Sequence, residues 1–337
     1  MKTKLLIGAL ALAGAGAASA QTLDTVRARG VLNCGVSTGV AGFSYIDADG
    51  EWDGFDVAVC RAVAAAIFDD PSAVEFTPTT GATRFEALNS GEVDMLSRNT
   101  TWTFSRDVDL RLEFVGVNYY DGQGFMVPAS LGVTSAMELD GATVCIQTGT
   151  TTELNLADFF RANNMSYEPV PIETNAEAQQ RYLANACDVY TTDVSGLAAT
   201  RSTFEDPSAH VILPEIISKE PLGPVVREDD PAWVNLVRWV FQGLIIAEEK
   251  GVTSENVAEL ASAPTDDPET NRLLGTEGAF GEMLNLTNDF MVRAISAVGN
   301  YGEIFEAHIG VDTPVGLERG LNALYTDGGI LYAPPFR

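Results

Sequence analysis

Residues 93–107 read VDMLSRNTTWTFSRD. VDMLS has the apolar character of a buried strand. The residues after it crowd hydroxyls, an amide, an indole and two arginines together. The strand is the third beat of a pattern. Before it, Thr83-Arg-Phe-Glu86 forms a capping box that opens a helix, and Gly91 can close that helix. Further upstream AVEFTPT (73–79) reads as a strand. FDVAVCRAVAAAIF (55–68) reads as a helix with Val59, Val63 and Ile67 on one face, and VLNCGVS (31–37) as the first strand. Strands alternating with helices predict α/β architecture, a parallel sheet with helices on its faces.

The rhythm restarts downstream. ATVCIQ (142–147) is a strand, and Thr150-Thr-Thr-Glu153 opens the helix of LNLADFFRANN. YEPVPI (167–172) is a strand, Asn175 can cap AEAQQRYLANA, and DVYTTD (188–193) is the next strand. Two α/β units follow, separated near NYYDGQG (118–124), where Asp and Gly mark a bend. A return crossing is expected near GPVVREDDP (223–231), because the helix after it has no strand partner of its own nearby. Beyond Gly251 the chain reads as the loop ASAPTDDPETN, a helical stretch over 282–310, and a Gly- and Pro-rich tail.

The first residues assign a compartment. MKTK is basic, LLIGALALAGAGA is apolar but short and glycine-rich, and Ala18-Ser19-Ala20 is a small-residue cleavage site before Gln21. Residues 1–20 therefore read as a secretory signal peptide, and a soluble exported protein is expected. With 20 Lys+Arg against 47 Asp+Glu, the formal net charge is −27. Such a field disfavours nucleic acid and anionic lipid as partners. Cys34, Cys60, Cys145 and Cys187 suit an oxidising compartment. Three pairings are open, as is a set of free buried thiols; the spacing suggests Cys34–Cys60 and Cys145–Cys187, one bridge per half. Zinc is disfavoured, since there is no Cys-x-x-Cys pair and His210 and His308 stand far apart in sequence.

Open α/β sheets hold ligands outside the carboxyl ends of their strands. Three polar clusters sit at such ends: the stretch after VDMLS, Gln147-Thr-Gly-Thr-Thr-Thr152, and Thr191-Thr-Asp193. Arg106 can meet a carboxylate with two parallel N–H bonds. Thr101 and Asn99 add donors, the start of a helix at Thr150 and Thr151 favours an anion, and Asp193 suits an ammonium. Together they match the two poles of an α-amino acid. Both poles need partners, because an unpaired ion in a dry cleft costs several kcal/mol. Blander roles exist for each: a surface ion pair of Arg106 with Asp107, a plain N-cap in TGTTT, a capping Asp193, a core Trp102. Trp102 inside a polar cluster is more naturally a face for an apolar ligand side chain. The chain has no Gly-x-Ser-x-Gly elbow, no His near a candidate nucleophile, and no P-loop or dinucleotide fingerprint.

On these residues the chain resembles the amino-acid-binding periplasmic solute-binding proteins of ABC transporters. The likeness runs from about Thr22 to Gly251, through GVSTGVAGF (35–43), WDGFD (52–56), GEVD (91–94), Thr101 to Arg106, QTGTT (147–151) and DVYTTD. Length, cysteine positions and the C-terminal segment look most like the general L-amino-acid-binding type. The resemblance implies a two-lobed type II periplasmic-binding-protein fold: lobe 1 over 22–118, lobe 2 over 122–225, a return to lobe 1 over 228–250, and an extension over 251–337 packing on lobe 1. It places a carboxylate-binding arginine at Arg106, a hydroxyl donor at Thr101, helix-start donors at Thr151 and Thr150, and an ammonium-binding acid at Asp193. Where many relatives carry an aromatic ring this chain has Val40-Ala41-Gly42, with Trp102 as a candidate replacement. It further implies a monomer without cofactor or catalysis that binds an L-amino acid by hinge closure and serves an inner-membrane ABC permease. A cyclohexadienyl-dehydratase-like lyase on the same scaffold is the alternative, and a receptor's sensor domain a third.

Overall fold

The computed structural model describes residues 21–337. The signal-peptide reading falls on residues 1–20, outside the described residues. No helix among the described residues is long and apolar enough to cross a membrane.

Leu32–Ser37 stands near the centre of the first sheet. It pairs parallel with Val74–Thr79 from Leu32↔Val74 to Ser37↔Thr79, and on its other side with Met95–Leu96. Val225–Arg227 then inserts antiparallel between Met95–Leu96 and Leu112–Phe114. The second sheet repeats the design. Ala142–Gln147 lies parallel between Tyr167–Ile172 and Val189–Asp193, and Gln123–Pro128 runs antiparallel between Val189–Asp193 and His210–Ile212. Neither sheet is purely parallel. The antiparallel insertion in the first is only Val225–Arg227, too short to show a period of two in the sequence. Since it already belongs to the first sheet, the return to lobe 1 precedes residue 228. The bend near residue 118 is a strand, Tyr119–Asp121, paired antiparallel with Glu220–Leu222. This two-stranded ribbon is the hinge between the lobes.

Each lobe carries a disulfide. Cys34 in strand Leu32–Ser37 is bonded to Cys60 in helix Phe55–Phe68, and Cys145 in Ala142–Gln147 to Cys187. For loops of 26 and 42 residues the chain-entropy account assigns about 3–4 kcal/mol to each.

The 282–310 stretch is three helices, not one: Phe280–Met283, Phe290–Val298 and Tyr301–His308. Asn300 caps the last with a capping box to Glu303. Phe290–Val298 packs along Phe55–Phe68 and Pro231–Glu249. There Gly243 lets Met291 in: a Cβ at 243 would stand 2.6 Å from the Met291 sulfur. Phe290, Met291, Ile295, Tyr301 and Phe305 are buried in the same apolar cluster as the lobe 1 core. A helix layer from the extension thus covers one face of lobe 1.

Candidate functional site

The cleft lies between the carboxyl ends of the two sheets. On the lobe 1 side the chain leaves Met95–Leu96 and reverses at Asn99, whose φ of 50° is left-handed, a region Asn tolerates better than most residues. The reversal places Arg98 and Asn99 on the cleft wall, with Arg84 from helix Arg84–Ser90 beside them. Arg84, Arg98 and Arg106 are 2%, 5% and 6% exposed. The guanidinium of Arg84 sits 4.7 Å, and that of Arg106 5.1 Å, from the Phe85 ring centre, so one aromatic ring carries two cations. Arg106 donates through Nη1 to the Thr101 carbonyl at 2.8 Å. Nε of Arg84 and Nε of Arg98 are buried without a protein partner. Burial weakens the hold on all three protons, to about 10 for Arg98 and Arg106; the neighbouring arginine charges add to this for Arg84 and Arg98. An arginine nevertheless stays charged in a protein.

Lobe 2 and the hinge bring the opposite sign. Asp193 ends strand Val189–Asp193 and precedes helix Val194–Ser202, yet its side chain makes no capping bond. Its Oδ1 is buried without a partner. Burial first, then Asp121 and Glu220, push its carboxyl well above the usual range, against the pull of Arg84 and Arg106. Asp121, on the hinge, is pushed up to about 6, mainly by burial, though it accepts from the N–H groups of Gly122 (2.8 Å) and Ser195 (3.2 Å). Glu220 on the other hinge strand is 1% exposed and fully engaged. Its Oε2 accepts from Thr101 (2.6 Å) and Thr151 (2.9 Å), its Oε1 from Asn155 (2.7 Å) and Ser218 (2.6 Å). A hydroxyl has one proton to donate. Thr101 and Thr151 both give it to Glu220, so their lone pairs, which suit a donor such as an ammonium, remain for the cleft.

Helix Thr151–Ala162 points its N-terminus at the site. Thr150 caps it, accepting from the Glu153 N–H at 3.3 Å and donating to the Gln147 carbonyl at 2.7 Å. The helix Asn175–Leu183 differs from expectation: Thr174 is the cap, and Asn175 reaches across to lobe 1 instead, donating to the Gly39 carbonyl at 3.2 Å. Thr83 likewise makes no capping bond; its hydroxyl pairs with Thr80 at 3.2 Å. The lobes also touch where Arg84 Nη2 meets the Gly149 carbonyl (3.4 Å) and where Thr101 meets Thr151 (3.3 Å). The arrangement is closed.

Of the residues nominated from sequence, Asn99, Thr101, Thr150, Thr151 and Asp193 line one cavity between the lobes. Arg106 is just behind its wall, holding the Thr101 backbone. It makes no pair with Asp107, which accepts from the Trp102 indole at 2.9 Å instead. Trp102 is outside the cavity lining, 41% exposed and stacked on Phe114 at 5.5 Å. Val40 lines the cavity. Sequence reading passed over Arg84, Arg98, Asn175 and Glu220. Arg84 lies inside the Thr-x-x-Glu pattern of a capping box, Arg98 lies within a stretch whose hydroxyls and Arg106 dominate its reading, and nothing local distinguishes Glu220 from the many acids of this chain.

Residues 32–252 match the bacterial extracellular solute-binding proteins, family 3. The chain is 62% identical, over all of both chains, to the glutamate/glutamine/aspartate/asparagine-binding protein BztA of Rhodobacter capsulatus. It is 55% identical, again over the full length of both, to the general L-amino acid-binding periplasmic protein AapJ of Rhizobium johnstonii. A solved structure of an ABC transporter/periplasmic binding protein from Brucella ovis with glutathione bound superposes with a TM-score of 0.91 at 53% identity, covering 95% of this chain and 100% of that one. With two lobes on a two-strand hinge, a polar cleft between them and these likenesses, the chain belongs to the bacterial extracellular solute-binding proteins of family 3.

Proposed function

We propose that this protein binds free L-amino acids in the inter-lobe cleft, in the periplasm, and passes them to an inner-membrane ABC importer without transforming them. One observation carries the reading: buried arginines on lobe 1 face buried, partly unpartnered Asp193 on lobe 2 across a single cavity. A zwitterion supplies both missing countercharges. Its α-carboxylate would lie toward Arg98 and the N-terminus of helix Thr151–Ala162, which leaves Arg84 for a second anionic group, and its ammonium toward Asp193 and the hydroxyl lone pairs of Thr101 and Thr151. Arg106 acts from behind, fixing Thr101. The ligand touches both lobes, so it favours the closed arrangement by contacts the open one lacks.

Lobe 1 offers more cations than one carboxylate needs. This favours ligands with a second anionic or acceptor group, in keeping with the glutamate, glutamine, aspartate and asparagine in the name of the Rhodobacter relative. The glutathione in the Brucella structure supports a wider range, because its γ-glutamyl end carries the same α-carboxylate and α-ammonium. The division proposed is two lobes and a C-terminal extension, acting as a monomer.

Isothermal titration of the purified mature protein against glutamate, glutamine, aspartate, asparagine, arginine, leucine and glutathione tests the reading. A ligand at 100 times its dissociation constant would also add about 2.7 kcal/mol of stability. Absence of binding across the panel overturns the reading. Turnover of prephenate or arogenate would favour the lyase.

A further inference from the structure

The family match stops at residue 252, and the 85 residues beyond it lie outside that match. Their helices cover lobe 1. The segment 309–322 does something else: it reaches the hinge and the second lobe. Asn322, 3% exposed, brackets the first hinge strand, its Oδ1 accepting from the Tyr120 N–H at 2.7 Å and its Nδ2 donating to the Tyr120 carbonyl at 3.2 Å. Arg319 fastens the segment to lobe 1. It donates to both carboxylate oxygens of Glu248, at 2.9 and 3.1 Å, and lies over the rings of Tyr301 and Phe305. Pro314 and Val315 share a groove with Ala198, Arg201 and Ile212, which belong to lobe 2. Ala198, Ala199 and Val315 are buried in an apolar cluster otherwise drawn chiefly from lobe 1 and the extension. Helix Val194–Ser202, which carries those alanines, starts immediately after Asp193.

On its other side Val315 presses the loop that lines the cavity through Val40. A Cβ on Gly42 would lie 2.6 Å from the His308 carbonyl and 2.8 Å from a Val315 methyl. A second line of bonds runs inward. Tyr301 donates to the Asn118 carbonyl at 2.7 Å, and the Asn118 amide donates to Asp56 at 3.0 Å. The charge of Asp56 in turn acts on Arg98 of the cleft wall, against the effect of its burial.

We propose that residues 309–322 form a strap that holds the hinge and the two lobes toward the closed arrangement, so that the C-terminal extension sets how tightly and how long ligand is retained. Contact with helix Val194–Ser202 is made across the rotating joint, so opening must loosen it. Closure is therefore favoured before ligand arrives, and less of the ligand's binding free energy goes into shutting the cleft. The proposal rests on the binding reading only for its effect on affinity; its effect on the ligand-free lobes stands apart from it.

All four native cysteines are in disulfides, so spin labels can be placed at Glu86→Cys on lobe 1 and Arg161→Cys on lobe 2, both exposed. Pulsed dipolar spectroscopy on the full chain then reads the inter-lobe distance without ligand. Val315→Ser is expected to shift that distribution toward longer distances and to speed release of a bound amino acid about fivefold or more. Asn322→Ala should do the same from the hinge side, and Val315→Ile should restore wild-type behaviour. If Val315→Ser and Asn322→Ala leave the ligand-free distribution unchanged, the strap is overturned, whether or not they lower the melting temperature. If the distribution shifts but no amino acid binds to any form, the strap stands and the binding reading fails.

Discussion

Lobe 1 and lobe 2 order their five strands alike, each with an antiparallel strand set beside the third, yet they furnish the cleft with opposite chemistry. Lobe 1 contributes Arg84 and Arg98 to its wall, with Arg106 behind, all buried. Lobe 2 contributes Asp193 and the start of a helix, and the hinge adds Asp121 and Glu220. The same topology thus presents two walls of unlike sign. Neither half is comfortable alone: burial works against the charged form of Arg98 and of Asp193 alike. A molecule carrying both charges would relieve both at once, so under the proposed function closure and recognition would be one event.

The surest way to break that complementarity is at Asp193, and the largest effect is expected there. Asp193→Asn should cost amino-acid affinity more than about 2 kcal/mol, roughly thirtyfold or more, by leaving a buried ammonium unpaired. The same variant should melt higher than wild type when ligand-free. The native carboxyl holds its proton to higher pH than the unfolded chain does, so ionising it in the fold costs stability as pH rises through the raised value. Titration calorimetry and a melting curve on one sample check both halves. A loss of affinity together with a lower melting temperature would mean that Asp193 is a structural anchor.

Arg106→Ala should also exceed about 2 kcal/mol in lost affinity, through the Thr101 carbonyl it releases and the buried positive charge it removes. Arg84→Gln sharpens the comparison between the lobes. It removes one cation from a wall that has more than one, so glutamate and aspartate should lose about tenfold more affinity than glutamine and asparagine. Equal losses for acids and amides would place Arg84 on the α-carboxylate instead.

A smaller effect is expected from pH. Asp121 is pushed up to about 6 and Asp193 well above its usual range. An ammonium needs them ionised, so binding releases protons wherever they are protonated in the free protein. Affinity should therefore fall as pH is lowered from 7.5 to 5, and the binding enthalpy should depend on the buffer's ionisation enthalpy. The ligand-free protein should move the other way, gaining stability from these two groups as pH falls toward 5, because the native state then holds protons that the unfolded chain releases. Parallel behaviour of affinity and ligand-free stability would break this assignment.

Much of this was legible in the sequence because it is local. Capping residues, strand runs and the polar clusters at strand ends occupy a few consecutive positions, and Asn99, Thr101, Thr151 and Asp193 do converge on one cavity. What was not legible is what depends on distant partners. Asn175 looks like a cap, and only the neighbouring Thr174 taking that role frees its amide to cross to Gly39. Glu220 becomes a junction because the hinge carries it between Thr101 and Thr151, 119 and 69 residues away. The three-residue strand Val225–Arg227 is too short to show a period. The contact of 309–322 with lobe 2 leaves no trace in composition.

Trp102 marks the edge of the comparison, and its effect should be the smallest. As part of the polar stretch after VDMLS it reads as a ring for the ligand's side chain, the counterpart of the aromatic that residues 40–42 lack. In the fold its indole faces away. The ring lies flat on Phe114, tilted by 6°, its N–H is held by Asp107, and 41% of the residue is exposed. Trp102→Ala should cost about 1 kcal/mol of stability, from the lost stacking and the hydrogen bond. Affinity for glutamate should stay within about 0.5 kcal/mol of wild type, as for other surface positions remote from the ligand. A selective loss of affinity for bulky apolar amino acids would show instead that the indole swings into the cleft on binding. The lobe 1 wall would then be part aromatic, and its contrast with lobe 2 one of shape as well as charge.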